Sequence, residues 1–485
     1  MNKFSLKRIL RSSLLFFPSI ISFLFSPWPG VSYFISWFGS FFILFWTISG
    51  NAVALPEDLP ASQQFFRPVF LSQIVFVSFN VLSSIFFFLD SSGFYYFKPG
   101  NPVMNYDSVL LQIAQCQRYY LLGHAAVAFG IVLHMKYDLH PKWIIRVKNY
   151  STLFFYIAVT TFLASLIVAK IYVLAELSSR LRVLALVSSV LSFTFNLSEK
   201  NKLLLLGNTV ILLGNFYLSI ISAWKAESIT LLLLLFVPLY AKFKKLAITL
   251  FLVGVTLWFL FIPYYTQMFR TKYWAEEAST EEALIHAYTE TKFSSFDSLA
   301  VNNWFFLVNR LSEIGLFIKY VGYTPSIRGD YYGLQIVSQS LHALLPRAID
   351  RYKPDLEELV MERVYENDVV GRPTKHARVS AKPQFIVDGY LTAGWLGILI
   401  ACYIYGALAS ILSRTCERYF SGYIFGTALI FNSLFQVFWR GQCFEFLTGK
   451  LVWSIAMLFL VFIIGRFTGL LKRNNQPDLM QPTLE

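Results

Sequence analysis

Charge is scarce in this chain: of 485 residues only 14% are Asp, Glu, Lys or Arg, while 56% are hydrophobic and 18% aromatic. That balance excludes an ordinary soluble domain and makes the bilayer the solvent against which the sequence is read. Cysteine is scarce too. Cys116, Cys402, Cys416 and Cys443 lie far apart and form no CxxC pair, which argues against a disulfide framework or a cysteine-built zinc site. Walker and dinucleotide fingerprints are missing. Matching halves are missing as well, which weakens the common transporter architectures. Strand-like alternation is also lacking: 229–239 and 451–465 are apolar on every face, so the spanning elements are helices and not barrel strands.

What is present is one apolar run after another, each near the twenty or so residues that cross a hydrocarbon core. Spans are expected near 13–30, 33–53, 67–89, 118–135, 151–174, 181–197, 203–223, 228–241, 247–266, 385–411, 419–438 and 451–470. The expected fold is therefore all-α, a polytopic integral membrane protein of about 12 transmembrane helices with one large extracytoplasmic loop. A bundle occupies 1–266, the loop 267–384, further spans 385–470 and a tail 471–485. The basic stretch 1–13 leads into an apolar run as a signal peptide does. With no small-residue cleavage site it is expected to remain as the first helix.

The net charge of +13 sits mostly in short loops: Lys136, Lys142, Arg146 and Lys148, then Lys200 and Lys202, then Lys242, Lys244 and Lys245, then Arg414 and Arg418, then Lys472 and Arg473. A cytoplasmic amino terminus puts every one of these on the cytoplasmic side, as the positive-inside rule requires. Membrane orientation thus accounts for the basicity, and no nucleic-acid partner is expected. The same alternation sends 267–384 outside and the carboxyl terminus inside. Within that segment 301–321 is apolar but carries Arg310, Glu313 and Lys319, which suits an interfacial or re-entrant helix facing protein better than a lipid-exposed span.

No ATP is available outside the membrane, so chemistry there needs an already activated substrate, of which a lipid-linked pyrophosphate is the natural one. Arginine suits its leaving group, because the planar guanidinium binds phosphate oxygens in pairs and stays charged in a dry site. The segment holds Arg310, Arg328, Arg347, Arg351, Arg363, Arg372 and Arg378, with Lys375 and His376 beside the last two. Arg351, Lys353 and Arg363 interleave with Asp350, Asp355, Glu357, Glu358 and Glu362 and read as a solvated helical face. Arg310, three residues from Glu313, reads equally as half of a structural ion pair or as a functional charge at membrane depth. His376 is open between a general base, a phosphate contact and a surface histidine. Asp388 falls near the outer end of the tenth span. Arg440 and Glu445 flank a short outer loop, where a shared cavity and an interfacial ion pair are equally open readings. Lys170 reads as a snorkelling residue, and His124 and His134 as structural.

Leu345-Pro346-Arg347 followed by Lys353-Pro354, and Asp388-Gly389-Tyr390 with Ala393-Gly394-Trp395-Leu396-Gly397 and Gly406, resemble the bacterial O-antigen polymerase and oligosaccharide repeat-unit polymerase family. The span layout, with a large extracytoplasmic loop before the last helices, is similar to that family along the whole chain. The resemblance implies a metal-independent, cofactor-free membrane glycosyltransferase at the outer face of a bacterial inner membrane. Its substrate would be polyprenyl-pyrophosphate-linked oligosaccharide, for O-antigen, capsule or exopolysaccharide, and its partners a chain-length regulator and a flippase. Arg310, Glu313, Arg347 and His376 are then the catalytic candidates, Arg347 by its Pro-Arg context. Arg372, Lys375, Arg378, Asp388, Arg440 and Glu445 are the candidates for holding pyrophosphate and glycan. The related O-antigen ligases use a histidine of the large outer loop, and His376 stands at a similar place, so ligase is the alternative. A lipid-linked oligosaccharide flippase or transporter is the alternative of another class.

Overall fold

The computed structural model describes residues 6–95, 98–138, 140–145, 147–171, 175–221, 225–273, 279–344, 354–372, 381–438 and 440–474. Their regular secondary structure is helical apart from two short two-stranded ribbons. Among the described residues, seven helices are long and apolar enough to cross a membrane: Pro29–Ile48, Leu71–Ser91, Tyr150–Val168, Arg180–Leu197, Lys202–Ser219, Phe385–Tyr419 and Phe444–Phe467. The chain is thus a helical membrane protein, and these seven coincide with seven of the expected spans. The other five expected spans are helical as well. Four of them fall on Tyr106–His134, Lys225–Lys242, Lys244–Tyr273 and the shorter Tyr423–Leu434. The expected first span, 13–30, instead ends at Leu24 in a run of three consecutive pieces, Leu6–Ser13, Leu14–Phe16 and Phe17–Leu24.

The chain folds as two units, one made of 1–139, 300–415 and 433–453, the other of 140–299, 416–432 and 454–485. The first is organised on Tyr106–His134, which is buried along most of its length. Leu121, Ala125, Ala128 and Val132 pack with Leu15, Ile43 and Ala52. On another side small residues let backbones meet: a Cβ on Gly130 would lie 2.4 Å from the Tyr403 carbonyl oxygen, and one on Gly406 2.1 Å from that of Val127. On a third side His124 stacks on Phe76 at 5.0 Å and Tyr120 meets Phe317 at 5.3 Å.

The second unit pairs Tyr150–Val168 with Ala175–Glu199, where Phe154 stacks against Phe425 at 5.1 Å. The Asn208 amide donates to the Ser192 hydroxyl at 2.8 Å, which itself donates to the Ser151 carbonyl at 2.7 Å, so the buried polar groups there are satisfied. Trp143–Ile145 pairs antiparallel with Leu471–Arg473. Ser279 and Glu282 form a capping box at the start of Thr280–Phe293.

The expected span 385–411 is not a single helix. Within Phe385–Tyr419 the backbone leaves helical geometry at Ala393 and at Gly394 (φ 61°, ψ −140°), a combination open to glycine and strained for side chains. Residues 385–392 and 395–419 are two arms of a hairpin, with Phe385 5.4 Å from Tyr405. The arms press together where a Cβ on Gly397 would lie 2.0 Å from the Gly389 carbonyl oxygen. The first arm ends on the N–H groups of Tyr332 and Gly333, which donate to the carbonyls of Leu391 and Thr392 at 2.9 and 3.1 Å. The second arm, at about 1.5 Å per residue, is long enough to cross alone.

The stretch 301–321 is likewise broken. Phe296–Phe306, a π-helical turn Leu307–Leu311 and Ile314–Tyr323 follow one another, and Arg310 and Glu313 flank the break. Protein covers this segment: the Trp304 indole N–H donates to Asp90 at 2.7 Å, and Phe317 packs on Tyr120.

Candidate functional site

Helix Leu356–Glu366 starts where Asp355 accepts the Glu357 N–H at 2.9 Å. Its inner face is Val360, Met361, Val364 and, with them, Arg363. The solvated-face reading of Arg363 is therefore corrected: its side chain is 2% exposed. Nη1 donates to Glu445 Oε1 at 2.7 Å and Nη2 to Glu445 Oε2 at 3.1 Å, the paired geometry that guanidinium and carboxylate favour. Nη2 also lies 3.2 Å from Asp388 Oδ1. Asp388 Oδ2 accepts the Phe444 N–H at 2.8 Å, so this carboxylate ties the first arm of the hairpin to the start of Phe444–Phe467.

Asp388 and Glu445 are both 0% exposed, and two carboxyl groups share one guanidinium, a formal excess of one negative charge when both are ionised. Burial alone would lower the Arg363 pKa. Asp388 and Glu445 outweigh it, so the guanidinium is held charged, well above its ordinary value. Ligand atoms of Asp388, Cys443 and Glu445 lie within 4.8 Å of one another, a donor set of metal-binding type. Arg363 already takes up the carboxylate oxygens of that set, so it does not fit a resident cation. A second polar chain fixes the helix that carries Arg363. Tyr332 donates to Glu366 at 2.8 Å, Asn367 donates to the Tyr332 hydroxyl at 2.8 Å, Thr324 donates to Asn367 at 2.6 Å, and the Tyr390 hydroxyl donates to the Thr324 carbonyl at 2.9 Å.

Of the expected site residues, Asp388 and Glu445 are brought together. Arg372 is not part of this cluster: it is 69% exposed and pairs with Glu362. Arg440 is partly buried, its N–H donating to the Gln436 carbonyl. Arg310 is exposed and Glu313 mostly buried, and they do not close the ion pair that one reading expected. Arg347, Lys375, His376 and Arg378, together with Arg351 and Lys353, lie outside the described residues. Arg363 is the residue that sequence reasoning missed. The available signal was its position three residues after Val360 and one before Val364, on the apolar side of the helix.

Burial pushes the Glu313 carboxyl up to about 7 from 4.5, with the Arg310 charge pulling the other way. A raised carboxyl pKa in the folded state means that stability is fully present below about 4.5 and is lost as pH rises through about 7. The thermal midpoint of the purified protein is expected to fall over that window. Glu313→Gln is expected to flatten the fall, and a wild-type-like pH profile in that variant would assign the titration elsewhere.

Residues 17–473 match a family described as a domain of unknown function, DUF8712, and the chain belongs to that family. No curated protein and no solved structure matches it.

Proposed function

We propose that this DUF8712 member is a membrane-embedded glycosyltransferase that polymerises lipid-linked oligosaccharide repeat units of a bacterial surface polysaccharide at the outer face of the inner membrane. The observation that carries the reading is the sharing of Arg363 by Asp388 and Glu445, of which Arg363 and Asp388 fall in the stretch whose sequence resembles the repeat-unit polymerases. The surplus negative charge suits a general base. As an acceptor sugar hydroxyl oxygen bonds to the anomeric carbon of the donor, a carboxylate of the cluster takes the hydroxyl proton. The bond from that carbon to the pyrophosphate oxygen breaks, its electron pair leaves with the pyrophosphate, and the anomeric centre inverts. The leaving group calls for cations, and the same part of the chain supplies Arg310, Arg347, Arg372, Lys375, His376, Arg378 and Arg440. Arg363 acts in this scheme as a positioning residue for the two carboxylates.

One observation favours a second reading. The broken helix Phe385–Tyr419 is of the kind that lines substrate sites in carriers, which suits a lipid-linked oligosaccharide flippase. The profile of surface and lipid-linked glycan in the native host separates these readings. Deletion of the gene, and Asp388→Asn at wild-type membrane levels, are expected to leave single repeat units on the surface lipid. Repeat units trapped on the cytoplasmic side would indicate a flippase, long polymer retained on its carrier a ligase, and an unchanged profile would sink the glycan reading.

A further inference from the structure

Three arginines among the described residues are more than nine-tenths buried, and they differ in their counter-charge. Arg67 is matched by one carboxylate, Asp58, at 2.8 and 2.6 Å. Arg363 is overmatched by two. Arg118, 8% exposed, has no carboxylate partner among the described residues. Its Nη1 donates to the Ser32 hydroxyl at 2.9 Å, its Nε has no partner, and the guanidinium stands 5.7 Å from the Phe23 ring. Ser32 cannot neutralise it, being a neutral hydroxyl that also donates to the Ser22 carbonyl at 2.9 Å. A buried cation held without a counter-ion is costly unless an anion comes from elsewhere.

Ser32 lies in the first turn of Pro29–Ile48, so the unmatched guanidinium is set against a helix N-terminus, itself a positive end. No side chain caps that end. A Cβ built on Gly30 meets nothing within 4 Å, so there is space over the turn. The depth is also informative. A helix of 20 residues is about 30 Å long, the thickness of the hydrocarbon core, which places its first turn at the headgroup boundary. Trp28, 59% exposed, stands at the same end, as interfacial aromatics do.

We infer that Arg118 and the first turn of Pro29–Ile48 form a binding site for the phosphate of a lipid whose headgroup is anionic overall. Guanidinium and uncapped backbone N–H groups supply the donors, and Phe23 and Trp28 supply apolar walls for the chain below the headgroup. The site is separate from the Arg363 cluster and does not depend on the glycosyltransferase reading.

Native mass spectrometry of the full-length protein in detergent tests it, with phosphatidylglycerol, phosphatidylcholine and undecaprenyl phosphate as probes. The wild type is expected to retain phosphatidylglycerol in preference to phosphatidylcholine. Arg118→Gln is expected to bind it about tenfold more weakly, the ratio of one charge-assisted hydrogen-bonded contact, and Arg118→Lys to lose less. Gly30→Leu, which fills the space over the turn and leaves Arg118 in place, is expected to weaken binding even if Arg118→Gln does not fold. Displacement of phosphatidylglycerol by undecaprenyl phosphate would assign the site to a carrier lipid, and its failure to displace would assign it to a bulk phospholipid headgroup. Indifference of the wild type to headgroup charge, or unchanged retention in folded Arg118→Gln and Gly30→Leu, overturns the inference.

Discussion

Arg363→Met is expected to be among the most damaging single substitutions in this protein. It removes the one cation that faces Asp388 and Glu445 among the described residues, and leaves two wholly buried carboxylates without it. Breaking a buried ion pair from one side costs about 3–5 kcal/mol, a large part of the stability of most folded proteins. Glu445→Gln should be far milder, because it removes the excess charge, keeps a similar shape and still offers an oxygen to the guanidinium. Its expected cost is about 1–2 kcal/mol, that of a charge-assisted hydrogen bond made neutral. The double variant should then lose clearly less than the sum of the single losses, since Glu445→Gln relieves the repulsion that Arg363→Met creates. Thermal unfolding in detergent, followed by the monodisperse fraction on size exclusion, measures all three. Additive losses, or an Arg363→Met protein as stable as the wild type, would show that the cluster is not held by its charges.

The second large effect is expected at Gly397. An added methyl would stand 2.0 Å from the Gly389 carbonyl oxygen and 3.1 Å from its carbon, so it meets backbone and not a movable side chain. The two arms of the hairpin must separate to admit it. Because Asp388 is on the first arm, the cluster with Arg363 and Glu445 must open with them. Overpacking of a tight core costs about 1–3 kcal/mol even where side chains can adjust, and here none can. Gly397→Ala is therefore expected to abolish recovery of folded protein. Gly214→Ala, on a helix with nothing within 4 Å of the added carbon, is expected to be neutral or to stabilise by up to about 1 kcal/mol. Equal yields of the two variants would mean that the hairpin tolerates separation and does not hold the cluster.

Gly397 also shows how much could be read in advance. Most of the expected spans fall on helices because long apolar runs permit few other structures in a membrane. The stretch Asp388–Gly397 was singled out through a family resemblance, and the fold supplies a physical use for its glycines: a left-handed corner at Gly394 and a backbone crossing at Gly389 and Gly397. The break itself was hidden. One Ala-Gly pair inside an apolar run does not alter hydropathy, and whether a chain continues or doubles back there depends on what receives it. Arg363 was hidden for a related reason. Its neighbours in sequence are Glu362 and Glu366, whereas the carboxylates that bury it come from Asp388 and Glu445, on two other helices. Local charge pattern describes a surface well and reveals little of pairings made across the fold.

Loops between spans are usually the safe places to insert a tag or a reporter. The loop at Tyr332 and Gly333 is not one of them. Its two N–H groups stand where the next turn of the 385–392 helix would have stood, and they receive the carbonyls of Leu391 and Thr392. The last carbonyls of a helix have no partner within it and must find one elsewhere. The segment is therefore a part of the helix supplied from elsewhere in the chain, and its length is constrained as a helix's would be. An epitope placed after Gly333 to map which side of the membrane it faces would report on a protein that it had already taken apart.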